Sequence, residues 1–278
     1  MPTVILTGAT RGIGHAAAIE IARRGAELAV VGRDPERVQA TAAEAEAAGG
    51  GASVHRHVAD LARMDEVRRL AAELLDAYPR IDALANHAGA MFTSRHVTPD
   101  GFERTFALNH LSPFLLTSLL LERLNASSAR VITTASDAHK GGVLDLDDLQ
   151  SERGRFRPGR VYGTSKLCNV LFTRELQRRN SDLAANCLHP GLIRTGFGKN
   201  DGLLARVSLT LAGPFLGSPR TGARPLVWLA LEPEAGDLRG EYLEKGRPVP
   251  PSAQAQDDRL AGELWERSEE LTAATYVP

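Results

Sequence analysis

Short apolar runs alternate along the chain with longer stretches of helical period. The runs VILT, LAVV and VITTA are apolar at consecutive positions, which is typical of strands buried on both faces. They and similar runs predict strands at Thr3–Thr7, Glu27–Val31, Ser53–His57, Ile81–Asn86, Arg130–Ala135, Ala184–Leu188 and Glu241–Leu243. The stretches between predict helices near Ile13–Arg24, Pro35–Ala48, Met64–Tyr78, Gly101–Leu124, Arg160–Arg179 and Thr221–Glu232. This alternation predicts an α/β fold, with a doubly wound parallel sheet of about seven strands covered by helices on both faces.

Three stretches depart from this rhythm. Gly141–Gly159 is polar and charged, whereas Lys199–Pro219 is apolar but contains glycines and prolines. Long excursions of this kind usually carry function or disorder, and we interpret both as substrate-side loops. Within the second, Val207–Gly217 is interpreted as a substrate lid, with a membrane-touching surface or a dimer patch as alternatives. Residues 254–272 predict an amphipathic surface helix.

Composition narrows the class of protein. The chain has 278 residues, which fits a single domain with a short appendage. Its 33 basic and 34 acidic residues give a net charge of −1, which argues against binding to nucleic acid by bulk charge. Cys168 and Cys187 cannot build a disulfide framework and match no zinc spacing. Neither a signal peptide nor a membrane-spanning apolar run is evident, so a cytoplasmic protein without a bound metal is expected.

The first predicted strand leads into a glycine-rich turn, Gly8-Ala9-Thr10-Arg11-Gly12-Ile13-Gly14, and a helix follows. Glycines allow a tight turn and let the backbone approach a pyrophosphate, while the helix N-terminus offers unpaired N–H groups. The alternative is a purely structural turn. Because the turn follows the first strand of an alternating α/β chain, we predict a dinucleotide site. A P-loop is excluded because no Gly-Lys-Ser/Thr follows.

The end of the second strand bears on which dinucleotide binds. NAD sites usually place an acidic residue there, whereas an arginine accommodates the 2′-phosphate of NADP. Here Gly32 occupies that position, Arg33 follows it, and Arg11 lies in the glycine turn. Asp34 is the rival ribose ligand, but the sequence Asp34-Pro35 is more typical of a helix N-cap. The sequence therefore favours NADP(H) over NAD.

Tyr162 and Lys166 are four residues apart on a predicted helix and share one face. An ammonium and an oxidised nicotinamide both favour phenolate, so we expect them to lower the pKa of Tyr162 from its usual value of about 10. An exposed Tyr/Lys pair is the alternative.

Ser136 follows the strand Arg130–Ala135 at the sheet edge where ligands bind, unless it is only a turn or N-cap serine. Asn109, a mediocre helix former, is expected to bend its helix around a bound water.

Five sequence elements follow one another along the chain: the glycine turn, Asn86–Gly89, Ser136, Tyr162 with Lys166, and Pro190-Gly191. In the presence and order of these elements the sequence resembles the short-chain dehydrogenase/reductase family, which has a single-domain Rossmann-type fold. Asn109-His110-Leu111 and Ser136-Asp137-Ala138-His139 are similar to its retinol-dehydrogenase-like branch. His87 departs from the asparagine common in the family, and Thr134-Ala135-Ser136 from its usual serine pair.

The resemblance implies roles for particular residues. Tyr162 would be the acid–base group, Lys166 would lower its pKa and bind the nicotinamide ribose, Ser136 would polarise the substrate oxygen, and Asn109 would anchor a relay water. The cofactor-binding residues implied by motif and resemblance together are Gly8, Thr10, Arg11, Gly12, Ile13, Gly14, Arg33, Asp60, Leu61, Asn86, Ala88, Gly89, Tyr162, Lys166, Pro190, Gly191, Ile193 and Thr195.

The resulting hypothesis is an NADPH-dependent carbonyl reductase, or the reverse alcohol dehydrogenase. A hydrophobic substrate is expected from the apolar residues Leu192, Phe197, Leu203, Leu204, Leu209, Leu211 and Phe215. A non-catalytic dinucleotide sensor or scaffold is the alternative, and a nucleotide-sugar epimerase is disfavoured by the glycine spacing. His139 is interpreted as an ordinary loop histidine rather than a substrate contact. A homodimer or homotetramer is compatible with the sequence.

Overall fold

Eight strands form a single sheet in the computed structural model, which describes residues 1–191 and 217–274. The strands are β1 (Thr3–Thr7), β2 (Glu27–Gly32), β3 (Val54–Val58), β4 (Ala83–Asn86), β5 (Arg130–Thr134), β6 (Ala184–His189), β7 (Tyr242–Glu244) and β8 (Arg247–Pro248). The α-helices are α1 (Gly12–Arg23), α2 (Pro35–Gly49), α3 (Met64–Ala77), α4 (Arg104–Phe106), α5 (Ser112–Ala126), α6 (Pro158–Arg179), α7 (Pro219–Leu231) and α8 (Asp258–Thr272). None of these helices combines the length and apolarity needed to cross a bilayer.

The strand order is β3-β2-β1-β4-β5-β6-β7-β8, and β1 to β7 run parallel. The chain builds outward from β1 to β3 and then returns to place β4 on the other side of β1. This reversal opens a crevice beyond the carboxyl ends of β1 and β4, where open α/β sheets bind ligands. The predicted doubly wound parallel sheet is confirmed.

The eighth strand was not predicted. It pairs antiparallel with β7 through Leu243↔Pro248 and Glu244↔Arg247. Lys245 and Gly246 connect the two strands, and both have positive φ, as a two-residue type I′ hairpin requires. Two residues are too few to produce a recognisable hydrophobic pattern.

Strand residues alternate between two hydrophobic layers. Val4 and Leu6 of β1 pack in the layer that contains α1, α2 and α7, whereas Ile5 packs in the layer that contains α3, α5, α6 and α8. This alternation is the period of two that every strand imposes on its side chains. Both faces of β1 are thus buried, which explains its uninterrupted apolar run.

The helix α8 covers the second layer. Leu260, Leu264 and Trp265 are buried on its inner face. The Trp265 ring stacks on Phe172 of α6 with centroids 5.9 Å apart, and it meets Phe114 of α5 edge-on at 5.0 Å. The C-terminal helix is therefore part of the core on that side of the sheet.

Replacement of Trp265 by alanine tests this packing. We expect Trp265→Ala to lower the free energy of unfolding by about 3–5 kcal/mol, because it leaves a cavity beside the rings of Phe114 and Phe172. Equilibrium unfolding in urea measures the change, with the exposed Arg259→Gln on the same helix as the control. A loss below about 1 kcal/mol would show that α8 is dispensable for stability.

Candidate active site

The loops that follow the first six strands all lie at one edge of the sheet, because those strands are parallel. Six of the sequence-predicted residues reach that edge by this rule alone. They are Gly8, Arg33, Asp60, Ala88, Ser136 and Pro190.

The turn between β1 and α1 requires glycine for two reasons. Gly8 and Gly12 have φ of +69° and +51°, in the left-handed region. A Cβ on Gly8 would lie 2.8 Å from the Cα of Ala88, and one on Gly14 would lie 2.1 Å from the carbonyl oxygen of Gly8. The turn is thus packed directly against the loop after β4.

The first turn of α1 is left open to an anion. Arg11 is its N-cap residue, no side chain caps it, and no acidic residue lies in the turn. The first N–H groups of a helix have no partner within the helix. The turn therefore fits the pyrophosphate of a dinucleotide, as the sequence predicts.

The end of β2 leaves no room for an acidic ribose ligand. A Cβ on Gly32 would lie 2.6 Å from Cγ2 of Thr10. The rival Asp34 caps α2, where its carboxylate accepts the N–H of Arg37 at 3.2 Å and pairs with the Arg37 guanidinium at 3.3 Å. Asp34 is therefore the N-cap that the Asp-Pro sequence predicted, and its carboxylate is engaged within α2.

Arg11 and Arg33 differ from Arg37 in having no partner. Both are exposed, and neither forms an ion pair with any residue in 1–191 or 217–274. Two free guanidiniums flanking Gly32 fit a dianionic phosphate better than a bare ribose diol.

Three predicted cofactor residues have side chains engaged within the protein. The carboxylate of Asp60 accepts the N–H of Ala62 at 3.2 Å, and Leu61 is buried in the core. The amide of Asn86 is also buried and donates to the hydroxyl of Thr117 at 3.0 Å. The amide nitrogen of Asn86 is therefore engaged within the protein.

Thr7 positions the loop after β4. Its hydroxyl accepts the N–H groups of His87 and Ala88 at 3.0 and 3.1 Å and donates to the carbonyl of Ala85 at 3.2 Å. Sequence reasoning placed Thr7 at the end of the first strand and at the start of the glycine turn, without a role for its hydroxyl. A hydroxyl at the last position of the strand, beside that turn, was the available signal.

Lys166 is the buried cation of the site, with only 3% of its surface exposed. Its Nζ donates to the carbonyl of Thr134 at 2.9 Å and lies 5.6 Å from the centroid of the Tyr162 ring. Burial lowers the pKa of Lys166 to about 8. No carboxylate pairs with it in the described part of the chain.

The hydroxyl of Ser136 lies beside that of Tyr162. Burial raises the pKa of Tyr162, and the interaction with Ser136 offsets the rise only in part. The expected lowering of this pKa is therefore not produced by the chain alone. The reason is that the Lys166 ammonium is bonded to a backbone carbonyl and not to the phenol.

Asn109 lies where the predicted helix Gly101–Leu124 is interrupted. A π-helical segment, Ala107–Leu111, separates α4 from α5 and turns the Asn109 side chain toward the site. Its amide donates to the carbonyl of Ala90 and to the hydroxyl of Ser165, both at 2.9 Å, and its Oδ1 accepts the N–H of Ala90 at 2.9 Å. The relay water stays a prediction, whereas the interruption of the helix agrees with the sequence.

Gly89 and Ser165 connect Asn109 to the other site residues. A Cβ on Gly89 would lie 3.1 Å from Oδ1 of Asn109 and 3.2 Å from Nζ of Lys166, so both polar atoms face the same point. Ser165 donates to the carbonyl of Tyr162 at 2.8 Å. The four predicted catalytic residues therefore converge on one small region.

His139 has a role that sequence reasoning missed. It is completely buried, its Nδ1–H donates to the carbonyl of Ser136 at 2.7 Å, and its Nε2 accepts the N–H of Ser252 at 3.1 Å. The ring also meets Tyr242 edge-on at 4.8 Å. His139 therefore holds the backbone of Ser136 against the C-terminal part of the chain. The interpretation as an ordinary loop histidine did not include this structural role.

His87 is the second histidine at the site. Its Nδ1 is hydrogen bonded to the hydroxyl of Thr134 at 2.9 Å. Burial, and to a lesser extent the charge of Lys166, lowers the pKa of His87 to about 4. A neutral imidazole thus takes the position where the family commonly has asparagine.

The loop after β6 begins with Pro190 and Gly191, and Gly191 has φ of +90°. Ile193, Thr195, the candidate lid up to residue 216 and the seven apolar residues named above lie outside the described residues. Their assignments stay predictions.

Comparison with known proteins identifies the family. The model for the short chain dehydrogenase family matches residues 2–203. The chain belongs to this family. A Streptomyces protein named "putative daunorubicin C-13 ketoreductase DnrU" is 46% identical to this short chain dehydrogenase over 267 residues, covering 96% of this chain and 91% of that protein. Human retinol dehydrogenase 13 is 39% identical over 281 residues, covering 97% and 84%.

Solved structures support the same family assignment. An uncharacterized protein from Mycobacterium paratuberculosis is 33% identical, with a TM-score of 0.81 over 100% of this chain and 96% of that one. The Pseudomonas aeruginosa RhlG/NADP active-site complex is 25% identical, with a TM-score of 0.70 over 87% and 93%. This short chain dehydrogenase is thus an oxidoreductase of the retinol-dehydrogenase-like branch, and the resemblance inferred from the motifs is confirmed.

Two buried histidines predict how stability responds to acid. Burial lowers the pKa of His87 to about 4 and that of His110 to about 3. The unfolded chain binds protons at about pH 6.5, before the folded protein does. Stability is therefore fully present above that pH and declines as pH falls, by about 2 kcal/mol per histidine between pH 7 and pH 5.

Urea unfolding at both pH values measures this loss. His110→Phe, which places another ring beside Phe106 and Phe114, should recover about 2 kcal/mol of the difference between pH 7 and pH 5. The exposed His96→Asn serves as the control and should keep the wild-type difference. An unchanged difference in His110→Phe would contradict the assignment.

Proposed function

We propose that this protein is an NADP(H)-dependent oxidoreductase that interconverts a carbonyl and an alcohol on a hydrophobic small molecule, with Tyr162 as the acid–base group. The observation that carries the proposal is the convergence of Tyr162, Ser136, Lys166 and Asn109 at the carboxyl edge of the sheet. A phenol, a hydroxyl and a buried ammonium together can bind a carbonyl oxygen and protonate it.

Tyr162 is suited to act as the acid in carbonyl reduction. Because burial raises its pKa, the phenol is protonated at neutral pH and available to donate. Ser136, beside the Tyr162 hydroxyl, is in place to donate a second hydrogen bond to the carbonyl oxygen. A reduced nicotinamide dinucleotide, held along the glycine turn, supplies the hydride.

Lys166 assists through its charge. The ammonium, 5.6 Å from the ring of Tyr162, favours the phenolate that remains once the proton has been given up. The Lys166 ammonium is held in position by its hydrogen bond to the carbonyl of Thr134 and by the backbone of Gly89, which packs beside it. Asn109 fixes the backbone of residue 90 beside it.

The choice of NADP(H) is supported by the unpaired Arg11 and Arg33 and by the crowding at Gly32. The structurally similar RhlG/NADP complex of Pseudomonas aeruginosa supports the same choice. The names of the relatives, a ketoreductase and retinol dehydrogenases, support carbonyl and alcohol substrates with apolar bodies.

Replacement of Tyr162 by phenylalanine tests the acid–base role. We expect Tyr162→Phe to lower kcat for reduction of aromatic ketones by about 10²–10⁴-fold, while NADPH binding, followed by fluorescence, is retained. Tyr78→Phe, a buried tyrosine in another part of the core, is the matched control. Full turnover in Tyr162→Phe would refute the proposed role, and NADPH binding without turnover of any ketone by the wild type would favour a non-catalytic sensor.

Replacement of the two free arginines tests the cofactor. Arg11→Gln and Arg33→Gln should each raise the KM for NADPH about tenfold, because each removes a charge-assisted hydrogen bond to the 2′-phosphate. The KM for NADH should stay nearly constant. Arg23→Gln, at the far end of α1, is the control. Equal effects on both dinucleotides would indicate that the arginines do not read the 2′-phosphate.

A further inference from the structure

A second cleft lies beside the catalytic helix. It has a volume of about 370 Å³ and is enclosed by the segment 143–157, by Phe106 and by the first turns of α6. Val161, Thr164 and Ser165 form its wall on the α6 side, so it borders the turn that carries Tyr162. Tyr162 itself is on a neighbouring face of the helix.

Four arginines line this cleft: Arg153, Arg155, Arg157 and Arg160. None of them forms an ion pair or a side-chain hydrogen bond with a residue of the described ranges 1–191 and 217–274. Arg95, which contacts the same segment, shows the contrast, because it pairs with Glu152 at 3.0 Å. The four guanidiniums are thus available to an external anion.

Two carboxylates, Asp145 and Asp148, offset only part of this positive charge, because the cleft is lined by four arginines. Asp145 accepts the N–H of Asp147 at 3.0 Å. Asp148 accepts the N–H groups of Glu152 and Arg153 at 2.7 and 3.1 Å. Both carboxylates therefore serve to shape the loop, and four cations face two anions across the cleft.

The start of α6 adds to the positive potential. This 22-residue helix begins at Pro158, has no side-chain cap and carries no acidic residue in its first turn. The positive end of its dipole is therefore uncompensated. It coincides with Arg157 and Arg160, which belong to the cleft.

We propose that this arginine cleft binds an anionic group of the carbonyl substrate, a carboxylate or a phosphate ester. The inference rests on the proposed function and deepens it. Arg160 and Arg157 precede Tyr162 by two and five residues, which is about 3–8 Å along the helix axis. Tyr162 and the cleft thus lie within two turns of one helix, on neighbouring faces, so a substrate with its carbonyl at Tyr162 needs a short chain to place its anionic group among the arginines.

The test compares two ketones that differ in charge alone. Benzoylvalerate, a phenyl ketone with a carboxylate at the end of a short alkyl chain, is measured against its uncharged amide with saturating NADPH. We expect the wild type to prefer the carboxylate by about tenfold in kcat/KM, and added salt to weaken this preference. In Arg157→Gln/Arg160→Gln the preference should fall at least fivefold, to about twofold or less. The second pair, Arg153→Gln/Arg155→Gln, should lower it in the same direction, and Arg259→Gln on α8 should leave it unchanged.

A binding measurement separates this inference from the proposed function. Calorimetric titration of benzoylvalerate into the Tyr162→Phe variant with NADPH should show weaker binding, by a similar factor, when Arg157→Gln/Arg160→Gln is added. Equal kcat/KM for both ketones in the wild type would overturn the assignment of the cleft, as would a preference for the carboxylate that is retained in both double arginine variants. In either case, turnover of the amide would still support an oxidoreductase. Full turnover in Tyr162→Phe would instead contradict the proposed function.

Discussion

The buried ammonium of Lys166 sets the conditions for the rest of the site. A cation with 3% exposure has lost nearly all of its hydration, and a carbonyl dipole alone compensates such a loss only in part. This loss of hydration lowers the pKa of Lys166 to about 8. The carbonyl of Thr134 sits at the end of β5, so the lysine is held by the rigid sheet and not by a loop. A charge that is kept close to a phenol in a dry environment acts on it far more strongly than an exposed charge.

Thr134 joins the separate parts of the site. Its carbonyl accepts both Lys166 and Asn169 from α6, and its hydroxyl binds His87 from the loop after β4. That same loop is fixed on its other side by the hydroxyl of Thr7. One chain of hydrogen bonds therefore runs from the first strand, beside the glycine turn, to α6. The positions of the glycine turn and of Lys166 depend on each other.

Local patterns were sufficient for the sheet, the glycine turn and the N-cap at Asp34, because each depends on residues close together in sequence. The features that were missed depend on partners far along the chain. His139 looked like a loop residue because its partner Ser252 is more than a hundred positions away. The hydrogen bond from the Asn86 side chain to Thr117 likewise joins residues 31 positions apart. Spacing along a helix shows that Tyr162 and Lys166 share a face, but not that the Lys166 ammonium binds the carbonyl of Thr134.

His139 is hydrogen bonded to both Ser136 and Ser252, which lie far apart in sequence. This has a consequence for the order in which the protein folds during translation. The turn that receives the dinucleotide is complete once β4 has left the ribosome, since Thr7 and Ala88 are both present by then. The Ser136 loop is different, because the acceptor nitrogen of His139 has no partner until Ser252 has been synthesised. On a growing chain the loop that carries Ser136 is therefore fixed later than the loop after β4, once residue 252 has folded back onto His139.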